Sequence, residues 1–112
     1  MTTTDARVVL MTAPDARVAE ALAETVVRER LAACASLLPG LISLFWWEGR
    51  VQRAEEVLVV MKTPAERVDA LLARAAELHP YDVPELLALP VAAGLPAYLE
   101  WMRRECRVEG EG

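Results

Sequence analysis

Apolar residues along the chain switch between runs typical of strands and three- and four-residue spacings typical of helices. Runs rich in β-branched residues at 8–10 and 57–60 predict two buried strands. Each run is followed by a segment with one apolar stripe, which predicts an amphipathic helix packed on a sheet. The stripe residues are Val18, Leu22 and Val26 in the first helix and Val68, Leu71, Leu72, Ala75 and Leu78 in the second.

The two strand–helix units repeat one another. MTAPDARVAEALA, residues 11–23, aligns without a gap with MKTPAERVDALLA, residues 61–73. Each copy places a proline at the expected helix start, and in the second copy the spacing of Thr63 and Glu66 predicts a capping box. Further extended segments at 33–47 and 83–91 give the order β-α-β, β-α-β.

This order predicts an α+β fold, a ferredoxin-like βαββαβ sandwich. Its four-stranded antiparallel sheet would carry both helices on one face. A short C-terminal helix is expected at about residues 96–106. The 112 residues suit a single domain, 1–112.

The second and third strands form a long hairpin in this interpretation. WEGR, residues 47–50, supplies the turn with Gly49 at positive φ, and the pair at 39–40, Pro-Gly, predicts a bulge or a kink. About 14 strand residues at ~3.3 Å span ~45 Å, whereas helices of about 16 residues cover only ~24 Å, so the hairpin must overhang its own domain.

That overhang carries the apolar cluster Phe45, Trp46 and Trp47. An exposed cluster of this kind usually marks an association surface, which predicts an oligomer whose copies cover one another. The alternative folds the aromatic side chains back onto their own sheet.

Composition and charge limit the classes of partner that this chain is expected to bind. Hydrophobic residues make up 54% of the chain and the net charge is −5, which argues against nucleic acid and anionic membranes as partners. No apolar run approaches the ~20 residues needed to span a bilayer, and the polar start lacks signal-peptide features, so a cytoplasmic location is expected. Cys34 and Cys106 are expected to be free thiols used in packing, with thiolate chemistry at Cys34 as the alternative.

Several stretches, taken in order, carry a family resemblance. VVLMTAPD, ERLAACASLLPG, SLFWWEG, EEVLVVMKT, LHPYDVPELLALPV and YLEW lie between residues 8 and 104. With them the chain resembles the CutA family, named for divalent-cation tolerance. The resemblance implies a homotrimer of ferredoxin-like subunits, similar in architecture to the PII proteins, and binding of copper or another divalent cation with no obligatory cofactor.

A tentative metal site follows from the same resemblance. Some bacterial relatives are thought to bind copper through a cysteine in the first strand and a histidine pair before Pro-Tyr. Those positions are Met11, and Leu78 with His79, in this chain. His79 and Met11 are therefore the candidate metal ligands. In the alternative, His79 caps the preceding helix and hydrogen-bonds a carbonyl group.

A second candidate site is a ligand cleft at a subunit boundary. HPYDVPE, residues 79–85, is stiffened by two prolines and leads into the last strand. Lys62 is the natural counter-ion of Glu85, and with Tyr81 and Trp47 they would form a polar pocket with an aromatic wall. The alternative is an interface ion pair that only fixes register. Glu55 and Glu56 are expected to face solvent.

The motifs of common enzyme classes are absent from the sequence. It contains no Gly-rich phosphate loop, HExxH or GxSxG, and its single histidine does not suit a hydrolytic triad, so no catalytic activity is expected. The chain is therefore predicted to be a trimeric protein that binds a divalent metal ion (copper) and is involved in divalent-cation tolerance. The first alternative is a PII-like sensor or scaffold with an intersubunit cleft. A third hypothesis is an enzyme using Lys62, Tyr81 and Glu85.

Overall fold

A computed structural model describes residues 4–107. Residues 1–3, on which part of the signal-peptide expectation depends, and residues 108–112 of the predicted domain lie outside the described range. The elements in chain order are β1 (Ala6–Ala13), α1 (Ala16–Arg28), β2 (Cys34–Trp47), β3 (Arg50–Pro64), a 3-10 turn (Ala65–Arg67), α2 (Val68–Leu78), β4 (Leu86–Pro90) and α3 (Pro96–Glu105).

The strands form one antiparallel sheet in the order β2-β3-β1-β4. Since β1 and β2 are separated by β3, the predicted split βαβ arrangement is confirmed. The two repeats lie side by side at the centre of the sheet, because Met11 of β1 pairs with Val59 and Met61 of β3 pairs with Val9.

The core lies between the sheet and the helices α1 and α2. Alternate residues of the central strands point towards the helices, and the predicted helix stripes meet them. Leu71 and Val26 are fully buried, while Leu78, at the end of the predicted stripe of α2, is 37% exposed. The sheet side of this core contains Val9, Met11, Ala13, Val57, Val59 and Met61.

The two repeated helices start differently. Asp15 caps α1, accepting a hydrogen bond from the amide of Val18 at 2.8 Å. The matching position in the second repeat is Ala65, which has no side-chain acceptor, and the chain first makes a 3-10 turn there. The predicted capping box at this start is wrong. Thr63 lies in β3 and donates its hydroxyl to the carbonyl of Leu31 instead.

The hairpin follows the prediction closely. β2 and β3 have 14 and 15 residues, against 13 and 11 in α1 and α2. Glu48 and Gly49 both have positive φ, 51° and 77°, as a type I′ turn requires. The pairing shifts by one residue between Leu38 and Leu41, with Gly40 at φ 84°, so the predicted bulge is confirmed. The chain reaches 49 Å along its longest axis.

The second face of the sheet has no helix over most of its length. We call it the open face; by strand alternation its residues are those that alternate with the core positions. Most of its apolar residues are half-buried or exposed in the single chain, whereas Thr12 and Glu56 on the same face are only 8% exposed. The apolar members are Val8, Leu10, Leu38, Leu58, Val60, Leu87 and Leu89.

The C-terminal helix α3 packs at one end of the sheet. Met102 and Cys106 are buried there against Ala6 and Ala33, and Arg103 forms an ion pair with Asp5 at 2.9 Å. Within the described part of the chain, no helix combines the length and apolar character needed to cross a bilayer.

Candidate functional site

His79 joins the end of α2 to the end of β1. It is the C-cap residue of α2 and only 7% exposed. Its Nε2 lies 2.8 Å from the carbonyl oxygen of Thr12, and its Nδ1 lies 3.1 Å from the amide nitrogen of Tyr81. Because a carbonyl only accepts and an amide only donates, Nε2 carries the proton and Nδ1 accepts. Both ring nitrogens are therefore used within the subunit.

Tyr81 extends this arrangement to the base of the hairpin. Its ring centroid is 4.7 Å from that of His79, and its hydroxyl donates to Oε2 of Glu56 at 2.9 Å. Burial, then the hydrogen bond to Glu56 and the charges of Glu56 and Asp15, raise the pKa of Tyr81 to about 12. The phenol therefore stays protonated at neutral pH and acts as a donor.

Glu56 corrects one expectation. It was expected to face solvent, yet it is only 8% exposed, whereas its neighbour Glu55 is exposed. Strand alternation places Glu56 with Leu58 and Val60 on the open face and Glu55 on the opposite side of β3. Glu56 is the one of the two that the hydroxyl of Tyr81 reaches, and its side of the strand could be predicted from the sequence. The Tyr81 contact could not, since it depends on where the loop at 79–85 crosses the sheet.

The two candidate metal ligands, His79 and Met11, both have structural roles within the subunit. Met11 is fully buried in the core between sheet and helices, and His79 would have to break one of its two hydrogen bonds to bind an ion. Among residues 4–107, no group of three or more His, Cys, Asp or Glu side chains is placed to hold a metal. The hydrogen bond from His79 to a carbonyl matches the capping alternative, although that carbonyl belongs to β1.

The four predicted cleft residues are not brought together within one chain. Lys62 pairs across the sheet with Val8 and Cys34, while Trp47 lies at the turn of the hairpin. Trp47 pairs with Arg50, which is twelve positions from Lys62 along β3, a distance of ~40 Å. Glu85 is exposed just before β4, and the described residues show no ion pair between it and Lys62. Contact among all four would need a second copy.

The aromatic residues of the hairpin are exposed. Phe45, Trp46 and Trp47 are 40%, 74% and 56% exposed, so they do not fold back onto their own sheet. The alternative interpretation of this cluster is wrong for the single chain.

The two cysteines are free thiols, as expected. Cys34 is half-buried, with Sγ 3.5 Å from the hydroxyl of Tyr98. This hydrogen bond, followed by burial, raises the pKa of Tyr98 to about 12. Cys106 is buried beside Thr63, and burial raises the pKa of its thiol.

Comparisons with known proteins agree on one family. A family model described as "CutA1 divalent ion tolerance protein" matches residues 7–105. A divalent-cation tolerance protein CutA from Pectobacterium atrosepticum is 46% identical over 103 residues, covering 92% of this chain and 94% of the relative.

Solved structures with this fold support the same family. CutA from Xylella fastidiosa superposes with a TM-score of 0.91 at 39% identity, covering 93% of this chain and 100% of the other. A protein from Archaeoglobus fulgidus, described as a periplasmic divalent cation tolerance protein, superposes with a TM-score of 0.89 at 30% identity, covering 91% and 99%. Because that relative is called periplasmic, the cytoplasmic location expected here stays a prediction.

Proposed function

The chain belongs to the CutA1 divalent ion tolerance family, and we propose that it acts in divalent-cation tolerance as a homotrimer that binds copper or another divalent cation. The observation that carries the assembly is the uncovered apolar surface formed by the open face and the hairpin tip. Trp46 and Leu87 are 74% and 54% exposed in the single chain. Monomeric proteins rarely expose large contiguous apolar patches, so further copies of the chain are the natural cover.

The assembly is tested by native mass spectrometry and light scattering at micromolar protein concentration. A mass of three chains is the expected result. A stable single subunit would contradict the proposed assembly, and with it any site shared between copies.

Cation binding is assigned to the assembled protein rather than to the pair His79 and Met11 within one subunit. Both side chains already serve the fold, one through two hydrogen bonds and one by complete burial. Binding at His79 would compete with these contacts, whereas donors at a subunit boundary would be free to bind. We propose a binding role and no catalysed reaction.

Isothermal titration with Cu(II), Cu(I) and Zn(II) tests the location of the ion. His79→Ala is compared with wild type after circular dichroism has shown that both are folded. Equal heats would support binding away from His79. Heat that disappears only in His79→Ala would return the site to His79, and no heat in either protein would contradict cation binding.

The surroundings of Lys62 support a second candidate function. In it, a PII-like cleft between subunits binds a small anion or a partner protein. Lys62 is half-buried on the open face and has no carboxylate partner among the described residues. Closing an assembly over this ammonium group would need a counter-charge, because an unpaired buried charge is costly. Either Glu85 of another copy or an anionic ligand would supply it, with Tyr81 and Trp47 as the other predicted cleft residues.

A thermal-shift screen with nucleotides and anionic metabolites separates these two partners of Lys62. A ligand that binds the folded state raises the melting temperature by mass action, and Lys62→Met should abolish that shift. If no compound in a broad panel raises the melting temperature, Glu85 of another copy is favoured as the partner of Lys62. A shift that Lys62→Met retains would place the ligand elsewhere.

A further inference from the structure

Lys62 is the only lysine of the sequence, and its charge is not neutralised within the subunit. It is half-buried near the end of β3. Within residues 4–107, neither a hydrogen bond nor an ion pair engages its ammonium group. An ammonium group carries a full charge and three donors. All three donors are therefore free for an acceptor that this subunit does not supply.

Among the described neighbours of Lys62 on the open face, none carries a carboxylate. Across the sheet Lys62 lies between Cys34 and Val8, and Leu89 follows Val8. The next row towards the hairpin consists of Ser36, Val60, Leu10 and Leu87. Glu56 shares this face but lies six residues along β3, ~20 Å away. The sheet around Lys62 therefore supplies apolar contacts and uncharged donors, but no counter-charge.

The helix α3 brings a phenol to the row of Lys62. The hydroxyl of Tyr98 lies 3.5 Å from Sγ of Cys34, and directly paired residues such as Cys34 and Lys62 have Cβ atoms about 4.5–5.5 Å apart on the same face. Tyr98 is 42% exposed, so a ligand can reach it. Because a thiol is a weak donor as well as a weak acceptor, Cys34 can donate to the phenolic oxygen and leave the O–H of Tyr98 for a ligand.

Ser36 adds a second hydroxyl to the same surface. It lies two residues along β2 from Cys34 and pairs with Val60, which places it on the open face, ~7 Å from the row of Lys62. Its side chain is exposed, and its hydroxyl forms no hydrogen bond in the part of the chain that the structure describes. Ser36 therefore has a free donor beside the ammonium group.

This set of groups selects for negative charge. One ammonium and two hydroxyl groups can all donate, and no carboxylate lies beside them to attract a cation. A carboxylate or phosphate group has several acceptor oxygens, and hydrogen bonds to such a group are strengthened by its charge. The apolar neighbours Val8, Val60 and Leu89 suit a compact ligand whose remaining surface is small.

We propose that Lys62, Tyr98 and Ser36 bind the oxyanion group of a small molecule, a carboxylate or a phosphate, and that Cys34 positions the hydroxyl of Tyr98. This inference rests on the PII-like cleft proposed above and names the groups that recognise its ligand. It takes the second recognition element from α3 and not from Tyr81 in the loop at 79–85.

Amine labelling tests the site in the full-length protein, because one side chain alone carries the signal. Lys62 is acetylated with acetic anhydride and followed by peptide mass spectrometry, with the N-terminal amine as internal reference. Inorganic phosphate and malonate are compared with chloride at the same ionic strength. Either oxyanion should slow the labelling of Lys62 severalfold and leave the N-terminal amine unchanged, and the two probes separate a phosphate site from a carboxylate site.

Hydroxyl deletions assign the donors while keeping the labelled lysine. Tyr98→Phe and Ser36→Ala should each raise the anion concentration needed for protection by roughly tenfold or more, the effect of losing one hydrogen bond to a charged group. Ser43→Ala is the matched control. It removes a hydroxyl from the same face at the position paired with Ala54, eight residues and ~26 Å along β3 from Lys62, and should leave protection unchanged. Circular dichroism checks that each variant is folded.

The outcomes separate this inference from the cleft on which it rests. Protection that Tyr81→Phe weakens but Tyr98→Phe and Ser36→Ala retain would overturn the inference and leave the cleft in place. Labelling of Lys62 that neither anion slows, or that is already blocked in chloride alone, would also overturn it, since Lys62 would then bind no oxyanion or be paired within the assembly. The cleft itself is rejected only if the metabolite screen gives no shift that depends on Lys62.

Discussion

Both faces of the central sheet carry apolar side chains, but they differ in what covers them. On one face Val9, Met11, Val59 and Met61 are fully buried under α1 and α2. On the other, Leu58 and Val60 alternate with them and lie half-buried, and Leu87 is 54% exposed. A strand with one solvent-facing side alternates apolar with polar residues. Continuous apolar runs in β1 and β3 instead indicate burial on both sides, and this chain supplies helices for only one of them.

The largest effect is expected from a charge on the open face. Val60→Glu should convert the assembly into monomers, because burying an unpaired carboxylate in an apolar interface costs several kcal/mol in each copy. Ala73→Glu adds the same charge on the exposed side of α2 and should leave the assembly intact. Native mass spectrometry measures both. A trimer that survives Val60→Glu would mean that the open face is not the interface.

A matched pair of leucine truncations sharpens the same comparison. Leu71→Ala removes a fully buried side chain between helix and sheet and should lower the free energy of unfolding by about 2–5 kcal/mol at every protein concentration. Leu44→Ala truncates a side chain that is 70% exposed in the single chain. Its smaller effect should depend on protein concentration, because it acts through association.

Urea denaturation at two protein concentrations measures both truncations. If Leu44→Ala is neutral at both concentrations, the side chain of Leu44 is not buried in the assembly. If the effect of Leu71→Ala varied with concentration, the core under the helices would not be independent of association.

Most of the fold was predictable because it follows from local patterns. The β-branched apolar runs of β1 and β3 and the stripes of α1 and α2 indicated the strand and helix order, and the Pro-Gly and Glu-Gly pairs indicated the bulge and the turn. The capping of α2 was not predictable from spacing alone. Thr63 has the right separation from Glu66, but its hydroxyl is taken by the carbonyl of Leu31, 32 residues away in sequence.

The candidate site was less predictable than the fold for the same reason. His79 was singled out as the only histidine, and its hydrogen bond to a carbonyl was one of two predicted roles. The buried partner of Tyr81 was missed, because Glu56 is 25 residues from it in sequence. Placing Trp47 beside Lys62 assumed a contact that a single chain cannot make.

A smaller effect is expected from the contact between the loop at 79–85 and the hairpin base. Tyr81→Phe removes the hydroxyl that donates to Glu56 and should lower the free energy of unfolding by up to about 3 kcal/mol, the upper range for a hydrogen bond to a charged group. Glu56→Gln keeps an acceptor oxygen and should cost less. Equal stability of Tyr81→Phe and wild type in urea would show that this contact does not hold the hairpin base.

The smallest expected effect is a pH dependence of stability, which compares Tyr81 on the loop at 79–85 with Tyr98 in α3. Both tyrosines of the chain have a pKa raised to about 12, Tyr81 mainly by burial and Tyr98 mainly by its hydrogen bond to Cys34. The neutral phenol is the form favoured by folding, so this contribution to stability is fully present below the unfolded pKa of about 10 and is lost as pH rises from about 10 to about 12.

Tyrosinate absorbance of the folded protein should therefore rise near pH 12, and that of the protein in guanidinium near pH 10. Cys34→Ala should move the Tyr98 transition towards 10 while Tyr81 stays high, and Tyr81→Phe should leave a single high transition. If Cys34→Ala moved neither transition, the thiol of Cys34 would not be the hydrogen-bond partner of Tyr98.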